Sequence, residues 1–255
     1  MAKNDPPIPL SVVMPVYNEE EAIPLAVEDV QRDVLDHVTG AELVVVNDGS
    51  RDGTGAILDG LGAKDARIHV IHQQNRGHGG ALMAALDAAR GEHVFLIDSD
   101  RQIPLSEFGA AWAQIQAGRQ GVFGVRRRRH DPALRLYLSA FVRRSIHVMF
   151  GTRIVDANVP YKLLKRTIWL DAQPCIPAGT LAPSLFLAIF AKRRGYDIVE
   201  LDVIHKERDT GEVSIRRFKL LKFCARAFQQ MVAFRRCVRG VGPRPSSPAS
   251  VPSRT

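Results

Sequence analysis

The residues whose types and spacing point most directly to chemistry are Asp98, Ser99 and Asp100, which follow the apolar run His93-Val-Phe-Leu-Ile97. Side chains two apart on an extended chain point the same way, so both carboxylates can approach one hard cation, Mg²⁺ or Mn²⁺. Magnesium takes one or two carboxylates and fills its shell with water and phosphate oxygens, which makes a nucleoside diphosphate the natural third component. The plainer alternative is a strand-end turn in which Asp98 caps the next helix. A second cluster, Asn47-Asp48-Gly49-Ser50-Arg51-Asp52-Gly53-Thr54, has the composition of a tight turn with a helix cap at Asp52 or Thr54. Asp48 could also accept hydrogen bonds from a base or ribose there. A third, Asn75-Arg-Gly-His-Gly-Gly80, is a glycine-rich loop before a helix, where backbone N–H groups can meet a phosphate. It matches neither the dinucleotide pattern G-x-G-x-x-G nor the P-loop.

These clusters need a scaffold, and the sequence supplies one. Strand-like runs at Leu10 to Val16, Leu43 to Asn47, Arg67 to His72, His93 to Asp98 and Gly121 to Val125 alternate with helical patterns. The latter cover Glu20 to Asp36, Thr54 to Leu61, Gly80 to Arg90 and Leu105 to Ala117. Such alternation predicts an α/β fold, a mostly parallel sheet wrapped by helices. Right-handed crossovers then bring the carboxyl ends of the strands to one rim, where ligands bind in open sheets. That rim carries Pro15 and Tyr17-Asn18-Glu19 after the first strand, Asp48-Gly49-Ser50 after the second, and the loop containing Gly77 after the third. Asp98-Ser99-Asp100 follow the fourth strand and Arg126 the fifth. Beyond residue 130 the pattern predicts a helix at Pro132 to Phe150, a polar stretch at Val155 to Arg166, a helix at Ala182 to Arg194 and a strand at Tyr196 to Ile204. A further helix runs from Ser214 to Phe234, and Arg235 to Thr255 reads as a Pro/Ser/Arg tail that cannot bury a core.

The organisation expected is an extension at 1–9, a folded domain at 10–234 and the tail at 235–255. Within the domain the divisions fall at 10–126, 127–213 and 214–234, the last an amphipathic helix. The 255 residues are 45% apolar and 24% charged, which excludes disordered and fibrous classes for most of the length. No apolar run reaches the 18 or so residues a membrane-spanning helix needs, and the N-terminus lacks the regions of a signal peptide, so a cytoplasmic protein is expected. Cys175, Cys224 and Cys237 fit neither a C-x-x-C spacing nor an even disulfide set, and reduced thiols are expected. His69, His72, His78 and His93 lack ligand spacing, and Trp112 and Trp169 read as core residues. The net charge of +8 is concentrated in the second half, at Arg126 to Arg129 and Arg216 to Arg239 among others. The helix at Ser214 to Phe234 places Phe218, Leu221, Ala225 and Phe228 near one face amid Arg216, Lys219, Lys222 and Arg226. Such a helix suits an anionic membrane surface, and equally suits packing on its own domain or on a partner.

In combination and in order, Pro15-Val-Tyr-Asn-Glu19, the Asp48-Gly49-Ser50 turn, the Asn75 to Gly80 loop and the D-x-D resemble the nucleotide-binding half of family 2 glycosyltransferases. The resemblance covers roughly residues 10 to 126 and implies the three-layer GT-A fold, with a glycosyltransferase domain at 10–234 whose nucleotide-binding half is 10–126 and whose acceptor half is 127–213. It implies that the strand-one loop and the Asp-Gly-Ser turn hold the nucleoside, and that Asp98 and Asp100 bind the metal bridging the sugar nucleotide's diphosphate. Asp98-Ser-Asp-Arg-Gln102 is most similar to the polyprenyl-phosphate (dolichol-phosphate) sugar transferase branch, in which Gln102 would assist the metal site. In the second half, Arg135 and Ser139 form the branch's R-x-x-x-S pair, and His205 to Ser214 resembles its H-x-x-R-x-x-G-x-S loop. Asp156 to Arg166 resembles an Asp-rich segment ending in Phe-Arg, although Asn158-Val-Pro-Tyr-Lys162 departs from that pattern.

A phosphate acceptor also has a physical argument behind it. A phosphate monoester is largely ionised at neutral pH, with a second pKa of about 6, and attacks a sugar carbon without a general base. It needs cationic support, which Arg126, Arg135 and Arg208 can give, with Ser139 and Ser214 nearby as hydroxyl donors. A hydroxyl acceptor would need a positioned base, for which Asp156 and His205 are the candidates. The expected activity is therefore inverting transfer of a sugar from a UDP- or GDP-sugar to a polyprenyl phosphate, by a protein peripheral to the inner membrane face and unaided by nucleic acid. The alternatives are a family 2 transferase acting on a hydroxyl, and a basic binding protein without turnover.

Overall fold

The structure is a computed structural model that describes residues 7–126, 143–156, 159–180, 182–205 and 217–240, the side chains of 217–227 excepted. Seven strands form one sheet: β1 (Leu10–Val16), β2 (Glu42–Asn47), β3 (Ile68–His72), β4 (His93–Ile97), β5 (Gly121–Val125), β6 (Tyr161–Lys165) and β7 (Ile198–Asp202). Their order is β3-β2-β1-β4-β6-β5-β7. All neighbours pair in parallel except β6, which runs antiparallel to both β4 and β5.

The first five strands fall where the apolar runs place them, because strands covered on both faces read as nearly continuous Val, Ile and Leu. Alternate residues serve two cores. Val13, Val44, Leu96, Phe123 and Leu164 face one, and Val12, Val45, Phe95, Val122 and Leu163 face the other. The second core is closed by α1 (Ile23–Val30), α2 (Thr54–Lys64) and α4 (Phe108–Gln116). The first is closed by α3 (Gly77–Ala88), α5 (143–150), α6 (Arg166–Ala172), α7 (Pro183–Arg193) and α8 (Arg217–Gly240). Trp169 is fully buried there. Helix α1 begins later than its apolar pattern, at Ile23, with Pro24 in its first turn where a missing N–H costs nothing.

Three expectations are corrected. The polar stretch at Val155 to Arg166 contains β6, a strand in the middle of the sheet that joins the two proposed halves into one layer. Two lysines in Tyr-Lys-Leu-Leu-Lys hide it, since one of them, Lys162, is completely buried. The tail does not begin at Arg235, because α8 continues to Gly240 and buries Phe234 and Val238 against the domain, with Phe234 beside Phe150 and Phe186. From Met231 onward this helix is thus a packed element of the fold, while Phe228 remains 60% exposed.

The third correction concerns the thiols: Cys175 and Cys237 are disulfide-bonded, with Cα atoms 5.5 Å apart and a sequence separation of 62. The bond ties α8 to the turn after α6, and spacing alone could not reveal a pair so distant. In the chain-entropy picture a loop of that length removes about 4 kcal/mol of freedom from the unfolded chain. Thiol titration of the denatured, unreduced protein should therefore find one thiol per chain, Cys224; three would restore the reduced state that spacing suggests.

At the amino-terminal rim, far from the strand ends that carry the D-x-D, Glu42 is buried with its carboxylate accepting from Ser11 Oγ at 2.6 Å. It also accepts from Arg90 N at 3.0 Å and Arg90 Nε at 3.1 Å, with Arg90 Nη2 closing a bidentate pair. Burial pushes this carboxyl up, but the bonds from Arg90 and Ser11 outweigh it and hold Glu42 below the ordinary range.

Candidate active site

The strand order reverses between β1 and β4, the place where open α/β sheets hold ligands. A cleft of about 430 Å³ opens there, walled by the ends of β1, β2 and β4 and by the start of α3. Pro15, Tyr17 and Glu19 contribute from β1, Asp48 from β2, Gly77 from the start of α3, and Asp98, Ser99 and Asp100 from β4. Eight of the eleven residues expected to bind the nucleotide sugar, or to flank it as the metal pair, thus converge from separate strands.

Asn18, Gly49 and Ser50 shape this rim without lining the cleft. Asn18 adopts a left-handed φ of 52°, donates its N–H to Ser50 Oγ at 3.0 Å and accepts from Arg51 N at 2.9 Å, locking the β1 end to the β2 turn. Gly49 has φ +70°, and a Cβ there would lie 2.9 Å from the Asn75 backbone nitrogen, so only glycine lets the two loops meet. Asn47 Oδ1 accepts the Ser50 N–H, and Asp52 Oδ1 accepts the N–H of Thr54 at the start of α2. Asp48 is buried, and its Oδ1 accepts from Gln73 Nε2 at 2.7 Å and Arg76 N at 2.8 Å. That leaves Oδ2 toward the cleft, among the described residues, as an acceptor for a ligand.

The helix-cap alternative for Asp98 does not hold: the turn leads through Pro104 to a short 3₁₀ segment at Leu105–Glu107, and α4 starts only at Phe108. Asp98 instead looks into the cleft with its side chain 30% exposed. Withdrawal from water raises its pKa first, and the neighbouring Asp100 charge raises it further, against the pull of His78, Lys162 and Arg126. A carboxyl withdrawn from water beside a second carboxylate is short of positive charge. Among the described residues no three His, Cys, Asp or Glu side chains converge as a closed metal site. The donor set suits a hard cation that completes its shell with diphosphate oxygens and water. Gln102 reaches this pair through its backbone, donating its N–H to Asp100 Oδ1 at 3.1 Å.

A model of the family described as Glycosyl transferase family 2 matches residues 11–180. The chain belongs to glycosyl transferase family 2. It is similar to the undecaprenyl-phosphate 4-deoxy-4-formamido-L-arabinose transferase of Shewanella sediminis, at 30% identity over 80% of this chain and 60% of that protein. The enzyme of the same name from Pseudomonas fluorescens strain Pf-5 is 30% identical over 83% of this chain and 62% of its own length. The chain therefore spans about 60% of the length of these relatives. Among solved structures, glucosyl-3-phosphoglycerate synthase from Mycobacterium tuberculosis in complex with UDP superposes with a TM-score of 0.64 at 20% identity, over 89% of this chain and 80% of the other. TarS of S. aureus in complex with UDP-GlcNAc gives 0.59 at 21% identity, over 84% and 64%. The three-layer GT-A fold is the one the resemblance implies.

In this family 2 chain the structure adds residues that sequence reasoning passed over. His78, set aside for want of ligand spacing, lines the cleft with Nε2 3.8 Å from Asp98 Oδ1; its place in the glycine-rich loop was the available signal. Gly77 and His78 are not loop residues but the first turn of α3, Gly77 taking φ +78°. Arg126 is gripped by Asp156: Nε to Oδ2 is 2.7 Å and Nη2 to Oδ1 is 3.0 Å, a bidentate pair with only 17% and 3% of the side chains exposed. Lys162 lies beneath, its pKa lowered to about 7 by burial. Arg135, Ser139, Arg208 and Ser214 lie outside the described residues.

Proposed function

We propose that the protein transfers a sugar, with inversion, from a nucleoside-diphosphate-sugar to a polyprenyl phosphate. The observation that carries this reading is the convergence of Asp48, Asp98 and Asp100, from the ends of two separate strands, on one cleft at the switch point. The names of the most similar relatives support the acceptor, and the solved neighbours with UDP and Mn²⁺ support the donor and a divalent cation.

Asp48 Oδ2 receives a donor N–H or hydroxyl of the nucleoside, while Pro15, Tyr17 and Glu19 close the other wall. Asp98 and Asp100, with Gln102 steadying Asp100, would hold Mg²⁺ or Mn²⁺, which when bound would supply Lewis-acid stabilisation of the leaving group. The N–H groups at the start of α3 and the His78 ring add positive character beside it. On the acceptor side, Arg126, Arg135 and Arg208 offset the phosphate charge, with Ser139 and Ser214 as hydroxyl donors. No base is required. Asp156, on which a hydroxyl acceptor would draw, already carries both nitrogens of Arg126, so the phosphate acceptor is the better match. No described helix is long and apolar enough to cross a membrane. We assign contact with the anionic membrane surface, or with a membrane partner protein, to the basic first part of α8.

The test is incubation with Mn²⁺ or Mg²⁺, a panel of UDP- and GDP-sugars and a short polyprenyl phosphate, followed by mass spectrometry. A glycolipid formed only when metal and lipid phosphate are both present is the expected product. Donor hydrolysis without glycolipid would move the acceptor to a hydroxyl.

A further inference from the structure

Lys162 is a buried ammonium that the transfer as described does not use. It stands on β6 opposite Leu96 of β4 and Phe123 of β5, and no part of it is exposed. Nζ donates to Val159 O at 2.6 Å and to Ser184 Oγ at 2.8 Å, and sits 5.8 Å from the centre of the Phe123 ring. Strand alternation puts Lys162 on the face of Leu96, hence on that of Asp98 two residues further along the chain. Asp98 and Asp156 attract it and Arg126 repels it, so one cation lies among the charged groups at the ends of three adjacent strands.

A buried charge is poor evidence for stability, since an apolar residue of similar volume commonly serves as well or better. What an ammonium with two short bonds does supply is position. Val159 precedes β6 on the segment that carries Asp156, and Ser184 is in the first turn of α7. Asp156 in turn holds the Arg126 guanidinium at both ends. We propose that Lys162 is a positioning residue: its ammonium fastens the chain before β6 to the start of α7, and thereby fixes the Asp156 carboxylate that orients Arg126 toward the acceptor. The fastening stands on the hydrogen bonds alone; the consequence for the acceptor rests on the function proposed above.

Lys162→Met and Ser184→Ala test it in the whole chain, with wild type alongside. Hydrogen exchange across 154–160, referred to a peptide covering 93–98, should rise about tenfold in Lys162→Met, the factor a hydrogen bond to a charged group is worth, and by a smaller factor in Ser184→Ala. Binding of UDP with Mn²⁺, by calorimetry, should stay within about twofold, while affinity for a short polyprenyl phosphate should fall about tenfold. A merely structural lysine would loosen both ligands alike. Equal losses, or unchanged exchange across 154–160, would overturn the proposal. If Lys162→Met does not fold, Ser184→Ala decides by the same readouts, because it keeps the charge and removes one anchor. If wild type binds no polyprenyl phosphate, the proposed function fails, and the exchange measurement still decides whether Lys162 fastens the segment.

Discussion

Replacing Asp100 by asparagine should lower sugar transfer by about 10³-fold or more, the several kcal/mol of a metal ion's charge stabilisation at about 1.4 kcal/mol per decade. The fold should survive. Asp100 sits on the rim and its one described structural bond, from Gln102 N to Oδ1, is one an asparagine Oδ1 can accept as well. The substitution is isosteric and removes only the charge. Thermal unfolding should be unchanged within a degree or two, since rim substitutions away from packed features typically stay within about ±0.5 kcal/mol. UDP affinity measured in the presence of a chelator should also be unchanged, while the gain on adding Mn²⁺ is lost. Near wild-type turnover in the variant would remove the metal role from the D-x-D. So would a large loss of turnover accompanied by an equal loss of metal-free UDP binding.

The largest expected effect on stability comes from the opposite rim. Arg90→Met should cost about 3 kcal/mol at pH 7, the lower end for removing one partner of a buried ion pair, because Arg90 is itself largely exposed and its half of the pair is screened. Glu42 would keep Ser11 Oγ, the Arg90 backbone N–H and His69, whose Nε2 lies 3.3 Å from Oε2, but lose the guanidinium. The sign with pH follows from the directions of the shifts. In the wild type Glu42 lies below its unfolded value, so its contribution is fully present above that value and is lost as pH falls through the depressed folded one. In the variant, burial is no longer outweighed and the folded value rises above the unfolded one, so the charge destabilises at neutral pH and protonation relieves it. Denaturant melts should therefore show the gap between the two proteins shrinking from pH 7 toward pH 4. A gap independent of pH would mean that Arg90 stabilises through packing of its stem rather than through Glu42.

Much of the cleft could be read from local order. Strands β1 to β5 announce themselves as apolar runs, and each ends in residues whose types have no place in a core: Tyr17 to Glu19, Asp48, Gln73 to Arg76, Asp98 to Asp100 and Arg126. A parallel sheet sends all of those ends to one rim, so the chemistry could be assembled without knowing a single distance. Lys162 and β6 illustrate the opposite case. A strand buried in mid-sheet normally lacks lysine, and this one carries it because its charge is met by Val159 O, Ser184 Oγ and nearby carboxylates from other parts of the chain. Nothing within the five residues of β6 tells of those partners.

The sequence alone thus determined the layered α/β architecture, the polar rim at the strand ends and the grouping of the D-x-D with Pro15 to Glu19 and Asp48 on it, because each depends on periodicity and on residues close together in the chain. Only the tertiary structure decided that β6 enters antiparallel between β4 and β5, that Arg126 is held by Asp156, that His78 faces Asp98 and that Cys175 bonds Cys237. Those contacts join positions from 20 (His78 and Asp98) to 72 (His93 and Lys165) apart. Their formation depends on how helices close over the sheet, a property of packing that local pattern does not encode.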